Sequence, residues 1–155
     1  MYSPILVPID DSDTAQRGLD EALALAQKLG STLHVLHVVD ARLLIGRVSD
    51  HASPKRLVAD WHAAGERLVH AAVDRARSMP LAADGAVRYD PHLRVCDVIL
   101  REAEEVGAGL IVMGTHGRRG VARLALGSDA EMVLRDSAVP VLLVRGQPPE
   151  GQQRG

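Results

Sequence analysis

Apolar positions along the chain come in short blocks that predict buried strands. The first block covers residues 5–9, and the next, residues 33–39, is mostly apolar on both faces, as in the interior of a parallel sheet. Residues 110–113 and 139–144 have the same character, whereas residues 86–89 predict only a weak strand. The pattern therefore predicts five strands.

Between these blocks, apolar residues recur at the spacing of amphipathic helices. Four helices are predicted in this way, at residues 15–29, 55–78, 95–106 and 128–137. Asp13 and Gln16 resemble a capping pair for the first helix, and Gly30 can end it in a left-handed turn. Ser53 followed by Pro54 is a typical start for the second helix.

Strands that alternate with helices predict an α/β fold with an open five-stranded parallel sheet, Rossmann-like, and helices on both faces. In such sheets ligands bind beyond the carboxyl ends of the strands, where the strand order reverses. The segment MGTHGRRGVARLALGSDAE, from Met113 to Glu131, leaves such a strand end. A binding site is therefore expected there.

Length and composition narrow the class of protein. The chain has 155 residues, 46% of them apolar, and we expect a single domain over residues 1–145 followed by a disordered tail over residues 146–155. A net charge of -2 and only 2% aromatic residues argue against binding to nucleic acid. The sequence has no run long enough to span a membrane, and Cys96 is its single cysteine. A cytoplasmic protein is expected.

The segment after the fourth predicted strand can form a phosphate site. It carries four glycines, Gly114, Gly117, Gly120 and Gly127. Glycine allows backbone N–H groups to point at a phosphate where the chain turns tightly, although an ordinary turn is the alternative explanation. The helix that begins near Ser128 adds unpaired N–H groups, and three loop arginines can offset phosphate charge: Arg118, Arg119 and Arg123.

The glycine spacing differs from that of the common phosphate-binding loops. The sequence has no Walker A run, and the first strand is followed by DDSDTA, without glycine, which disfavours P-loop hydrolases and dinucleotide dehydrogenases. The spacing Gly114-x2-Gly117-x9-Gly127-Ser128 instead resembles the ATP-binding signature of the universal stress protein family. The segments ILVPIDDSDTA, LHVLHVVD, GAGLIVMGTHGRRG and SAVPVLLVR resemble the same family, whereas residues 41–94 are uninformative.

This resemblance implies a strand order of 3-2-1-4-5 and a site for ATP, with Mg²⁺ on the phosphates. The implied contacts are Asp10 and Val38 for the nucleoside, and Gly114, Gly117, Gly127 and Ser128 for the phosphates. It further implies a nucleotide-dependent regulator of a partner protein in the stress response. Members commonly pair through the last strand, so we expect a homodimer formed along the edge from Val139 to Val144.

Two positions depart from the family pattern. Asp129 stands where a small or apolar residue is common, and its carboxylate would repel a phosphate by ~1 to 4 kcal/mol at about 4 Å unless the side chain turns away. In LRVCDVIL, Leu93 and Val95 replace the usual glycine–proline turn, so the path of the chain after the third strand is not predicted.

Other functions are weighed against this one. A slow ATPase or phosphotransferase would use the same pocket, but the sequence shows neither a general base nor a lysine clamp, so an enzyme is disfavoured. A nucleotide-free interaction module is the third possibility. His62, Glu66 and His70 do not predict a metal site, because the outer histidines would lie about 12 Å apart along a helix. For His116 and Cys96 no catalytic partner is identifiable.

Overall fold

The computed structural model describes residues 1–40, 42–43, 53–115 and 126–146. In these ranges the elements are β1 (Ile5–Pro8), α1 (Asp13–Leu29), β2 (Leu33–Val39), α2 (Pro54–Ser78), β3 (Ala83–Tyr89), α3 (Val95–Glu105), β4 (Leu110–Gly114), α4 (Ser128–Asp136) and β5 (Val141–Val144). All strand pairs are parallel, and their order is β3-β2-β1-β4-β5. The predicted fold class and strand order are confirmed. Residues 147–155, in the predicted tail, lie outside the described residues.

The sheet separates two hydrophobic layers. Because successive residues of a strand point to opposite faces, Ile5 and Val7 pack under α1 and α2, whereas Leu6 packs under α3 and α4. The same alternation places Val35 in the first layer and Leu36 in the second. Both faces of the central strands are thus covered, which explains why their sequences are apolar without alternation.

The start of α1 differs from the predicted capping pair. Ser12 is the N-cap, and its Oγ accepts a hydrogen bond from the N–H of Ala15 at 3.2 Å. Asp13 is already the first helical residue, so the predicted cap formed by Asp13 and Gln16 is wrong. At the other end Gly30 adopts a left-handed conformation with φ of 63°, as predicted.

The third strand is longer than predicted. Its sequence indicated only residues 86–89, yet β3 pairs with β2 from Ala83 onwards. Asp84 and Gly85 have low strand propensity, but tertiary contacts hold them in the ladder. The Asp84 carboxylate bonds the neighbouring His34, and a Cβ at Gly85 would lie 2.6 Å from a backbone carbonyl of β2. The other elements match their predicted bounds to within two residues.

Candidate functional site

The strand order reverses at β1, which pairs with β2 on one side and β4 on the other. Ile5 pairs with Leu110, and the same offset carried along both strands places Asp10 level with Thr115. The carboxyl ends of β1 and β4 therefore open onto one crevice, at the position where open parallel sheets bind ligands. The described candidate residues all lie at this edge.

Asp10 follows β1 and turns back onto its own backbone. Its Oδ1 accepts the N–H of Ser12 at 2.9 Å, and Ser12 in turn caps α1. This local turn fixes a half-buried carboxylate at the mouth of the crevice. A carboxylate offers several acceptor positions, so one hydrogen bond leaves Asp10 able to accept from a ligand.

Val38 lies where β2 extends beyond its pairing with β1. That pairing ends at Pro8 and Leu36, and the N–H of Ile9 then donates to the Leu36 carbonyl at 2.8 Å. Alternate residues of a parallel strand direct their backbone groups to the same neighbour, so those of Val38 face the space that β1 has left. Its half-buried side chain packs in the α3–α4 layer. The backbone of Val38 can therefore contact a ligand in the crevice.

Gly114, at the end of β4, is in close contact with α1. A Cβ there would lie 2.7 Å from the carbonyl carbon and oxygen of Thr14 and 3.1 Å from the nitrogen of Ala15. Gly18 approaches from the same helix, and its own Cβ would lie 3.1 Å from the Gly114 nitrogen. This packing requires glycine at position 114 whether or not a phosphate binds.

Gly127 immediately precedes α4 and is hydrogen-bonded to the residue that follows β4. Its N–H donates to the carbonyl of Thr115 at 2.8 Å, and its φ of -61° is one that any residue adopts. This hydrogen bond occupies the Gly127 N–H, so a phosphate would have to use its neighbours. Residues 116–125 lie outside the described residues, and with them the predicted site residue Gly117, as well as His116, Arg118, Arg119 and Arg123.

The amino end of α4 presents backbone donors to the crevice. The first hydrogen bond within the helix runs from the N–H of Glu131 to the carbonyl of Gly127 at 2.9 Å. The N–H groups of Ser128, Asp129 and Ala130 precede this bond and point out of the helix end. Together with the helix dipole they give this end a partial positive charge on a chain of net negative charge.

The carboxylate of Asp129 turns away from this end towards α3. Its Oδ1 accepts the N–H of Cys96 at 3.2 Å, and its Oδ2 lies 3.6 Å from a guanidinium nitrogen of Arg42. Arg94 holds the N-cap position of α3, where Ser, Thr, Asp or Asn is usual. Asp129 therefore supplies from a second helix the capping oxygen that a residue before α3 would normally provide.

Arg42 was missed by the sequence interpretation. It follows β2, and its Nε lies 3.1 Å from Oδ1 of Asp40. The hydrogen bond to Asp40, followed by the charges of Asp40 and Asp129, raises the pKa of Arg42. The polar and apolar residues that follow residue 40 show no pattern that distinguishes Arg42. Its second partner, Asp129, is distant in the sequence, so the contact is visible only in the folded chain.

Cys96 lies close to Asp97 and Asp129, and its thiol is not activated as a nucleophile. Burial, followed by the negative charges of Asp97 and Asp129, raises the pKa of its thiol. Reactive cysteines need the opposite shift. The thiol is 1% exposed and packs in the α3–α4 layer.

The histidines of α2 each have an acidic neighbour one turn along the helix. His62 lies 3.6 Å from Glu66, and His70 lies 3.4 Å from Asp74. Across residues 1–40, 42–43, 53–115 and 126–146, no cluster of three or more His, Cys, Asp or Glu is arranged to hold a metal ion.

Within those same ranges, no helix has both the length and the apolar character needed to cross a membrane.

Comparison with known proteins assigns this architecture to one family. The profile of the universal stress protein family matches residues 1–145. A universal stress protein of Thermus aquaticus is 36% identical over 148 residues, covering 94% of this chain and 100% of that protein. A solved protein of the family from Burkholderia pseudomallei is 34% identical, with a TM-score of 0.75 and coverage of 92% of this chain and 96% of its own. The universal stress protein from Archaeoglobus fulgidus, solved in complex with dAMP, is 25% identical, with a TM-score of 0.64 and coverage of 92% and 98%.

Proposed function

The chain belongs to the universal stress protein family, and we propose that it is a nucleotide-binding member that holds ATP at the carboxyl edge of its sheet. The observation that carries this proposal is the convergence of Asp10, the Val38 backbone and the amino end of α4 on one crevice. The Archaeoglobus fulgidus relative in complex with dAMP supports an adenine nucleotide as the ligand class.

Each group in the crevice suits one part of such a ligand. The Asp10 carboxylate can accept from ribose hydroxyls, and the backbone of Val38 can bond the edge of the base. The N–H groups of Ser128, Asp129 and Ala130 can donate to phosphate oxygens. Mg²⁺ bound with ATP would neutralise part of the phosphate charge. Gly117 would allow the loop after β4 to approach the phosphates closely.

We propose further that nucleotide binding controls an interaction with a partner protein in the stress response. A slow ATPase ranks second, because the described residues around the crevice include no lysine clamp. A nucleotide-free module ranks third. The orientation of Asp129 disfavours it, since the carboxylate accepts a hydrogen bond from α3 and lies 3.6 Å from Arg42 instead of pointing over the end of α4.

Calorimetric titration of the nucleotide-stripped protein with ATP, with and without Mg²⁺, tests the proposal. We expect saturable binding near one site per chain. We expect Gly117→Val to abolish binding while the circular dichroism spectrum and melting temperature stay unchanged, and the matched variant Gly151→Val to bind normally. Absence of wild-type binding in both conditions, or normal binding by Gly117→Val, would contradict the assignment.

We also propose that the chain forms a homodimer through the β5 edge. β5 is an apolar edge strand, and its Leu142 is 37% exposed. An exposed apolar edge favours pairing with another chain. Sedimentation at micromolar concentration should give a dimer, and Leu142→Lys should give a monomer. Tyr89→Lys is the matched control, because Tyr89 is also 37% exposed but lies on the opposite edge strand. A monomeric wild type would contradict this proposal.

A further inference from the structure

The Asp129 carboxylate faces a backbone N–H group and a guanidinium group, and it lies in the first turn of its own helix. Its own helix, α4, begins at Ser128, and the N–H of Cys96 in the first turn of α3 donates to its Oδ1. The guanidinium of Arg42 faces its Oδ2 at 3.6 Å. The Asp129 side chain is 32% exposed and that of Arg42 is 41% exposed, so the pair lies at the surface of the crevice.

This arrangement offsets the repulsion between two helix dipoles at the carboxyl edge of the sheet. Two helices that begin side by side place the positive ends of their dipoles next to each other. A carboxylate shared between the two helix ends offsets that repulsion, and its hydrogen bond to Cys96 holds the start of α3 against the start of α4. The phosphate-binding end of α4 is therefore positioned by a contact with a different helix.

The negative charge of Asp129 also lies close enough to the phosphate position to repel the ligand. The N–H of Asp129 is one of the donors directed at the phosphate position, and only Cα and Cβ separate it from the carboxylate. Arg42 offsets that negative charge and is itself oriented by Asp40, whose carboxylate lies 3.1 Å from its Nε. The paired charge should therefore matter most for the ligand with the most phosphates.

We propose that Asp129 and Arg42 are positioning residues of the nucleotide site: Asp129 tethers the end of α4 to α3, and Arg42 shields the Asp129 carboxylate from the nucleotide phosphates. The inference rests on the proposed nucleotide function. It predicts that Arg42 determines how strongly the site favours ATP over AMP, without itself being a phosphate ligand.

A double-mutant cycle tests the shielding role. ATP and AMP affinities are measured at low salt for the wild type, Arg42→Gln, Asp129→Asn and the double variant. We expect Arg42→Gln to weaken ATP binding about fivefold and AMP binding less, whereas Asp129→Asn binds ATP at least as tightly as the wild type. In the double variant the loss caused by Arg42→Gln should shrink to the part that the Asp40 carboxylate causes once it no longer faces Arg42. An equal loss in both backgrounds would mean that Arg42 binds phosphate directly and would overturn the shielding role.

A matched charge pair on the other side of the sheet provides the control. Arg75 lies 2.6 Å from Asp20, with 47% and 54% exposed side chains. Arg75→Gln and Asp20→Asn change the net charge in the same way as the test variants but lie between α1 and α2. They should leave both nucleotide affinities unchanged. A change equal to that of Arg42→Gln would assign the effect to net charge and overturn the proposal.

Amide hydrogen exchange tests the tether, the hydrogen bond from Cys96 to Asp129, without any nucleotide. Asn can accept the Cys96 N–H as Asp does, whereas Ala cannot. We expect Asp129→Ala to speed hydrogen exchange of the Cys96 amide about fivefold, and Asp129→Asn to leave it near the wild-type rate. Equal exchange in all three proteins would overturn the tether. If the wild type binds neither ATP nor AMP, the proposed function and the shielding role both fail, and amide exchange still decides the tether.

Discussion

The two helical layers of this protein meet the sheet in different ways. On the α1–α2 side one close contact is between backbones, where Gly114 at the end of β4 packs against the first turn of α1. On the α3–α4 side, buried polar side chains join helices to strands. The difference teaches that the first layer requires a position without a side chain, whereas the second requires polar side chains that hydrogen-bond to one another.

The polar contacts of the second layer centre on Glu102 of α3, which is 2% exposed. Its Oε1 lies 2.8 Å from Nε2 of His34 on β2, and its Oε2 lies 2.7 Å from Nε of Arg88 on β3. The other ring nitrogen of His34 lies 2.6 Å from Asp84. These side chains join α3 to the edge strand β3. The apolar core of that layer includes no residue of β3.

The largest expected effect belongs to the glycine contact. Gly114→Ala should destabilise the protein by about 3 kcal/mol, because the new Cβ meets the backbone of Thr14, which cannot rotate away. Gly30→Ala is the control. Within the described residues its Cβ meets open space, so only the left-handed φ of 63° opposes it, at about 1 to 2 kcal/mol. Urea denaturation measures both, and a smaller loss at Gly114 than at Gly30 would contradict the packing argument.

The polar layer should respond to loss of a partner. Glu102→Ala should cost about 2 to 3 kcal/mol, because it leaves His34 and Arg88 without their shared acceptor. The loss is smaller than for a fully buried pair, since Arg88 is 45% exposed and water can replace the carboxylate. Glu102→Gln keeps one amide oxygen as an acceptor and should cost less. Equal losses for the two variants, in the same denaturation experiment, would show that packing volume matters more than hydrogen bonding.

The smallest effect concerns the reactivity of Cys96 towards a thiol reagent. Its raised pKa reduces the thiolate fraction at any given pH, so modification should be slow near neutral pH and accelerate as the pH rises. Asp129 raises this pKa and Arg94 lowers it. At fixed pH, Asp129→Asn should therefore react faster than the wild type and Arg94→Gln more slowly. Stopped-flow absorbance measures the rates, with denatured protein as the reference, and the reverse order would contradict the charge assignment.

The sequence predicted the elements of the fold better than the details of the site. Strand and helix positions followed from periodicity, and the strand order followed from the family resemblance. The capping pair at Asp13 was wrong because Ser12, one residue earlier, accepts the capping hydrogen bond. The start of β3 was missed because Asp84 and Gly85 disfavour a strand locally and are held there by β2 and α2.

By itself the sequence determined where the chain forms strands and helices, because hydrophobic periodicity and turn residues act over a few neighbouring positions. Its glycine spacing also indicated which strand end carries the proposed site. Only the tertiary structure decided that Gly114 is needed for the packing of α1 and that the Asp129 carboxylate points to α3 and Arg42. Those properties depend on partners that are distant in the chain, and the strand order brings them together at the carboxyl edge of the sheet.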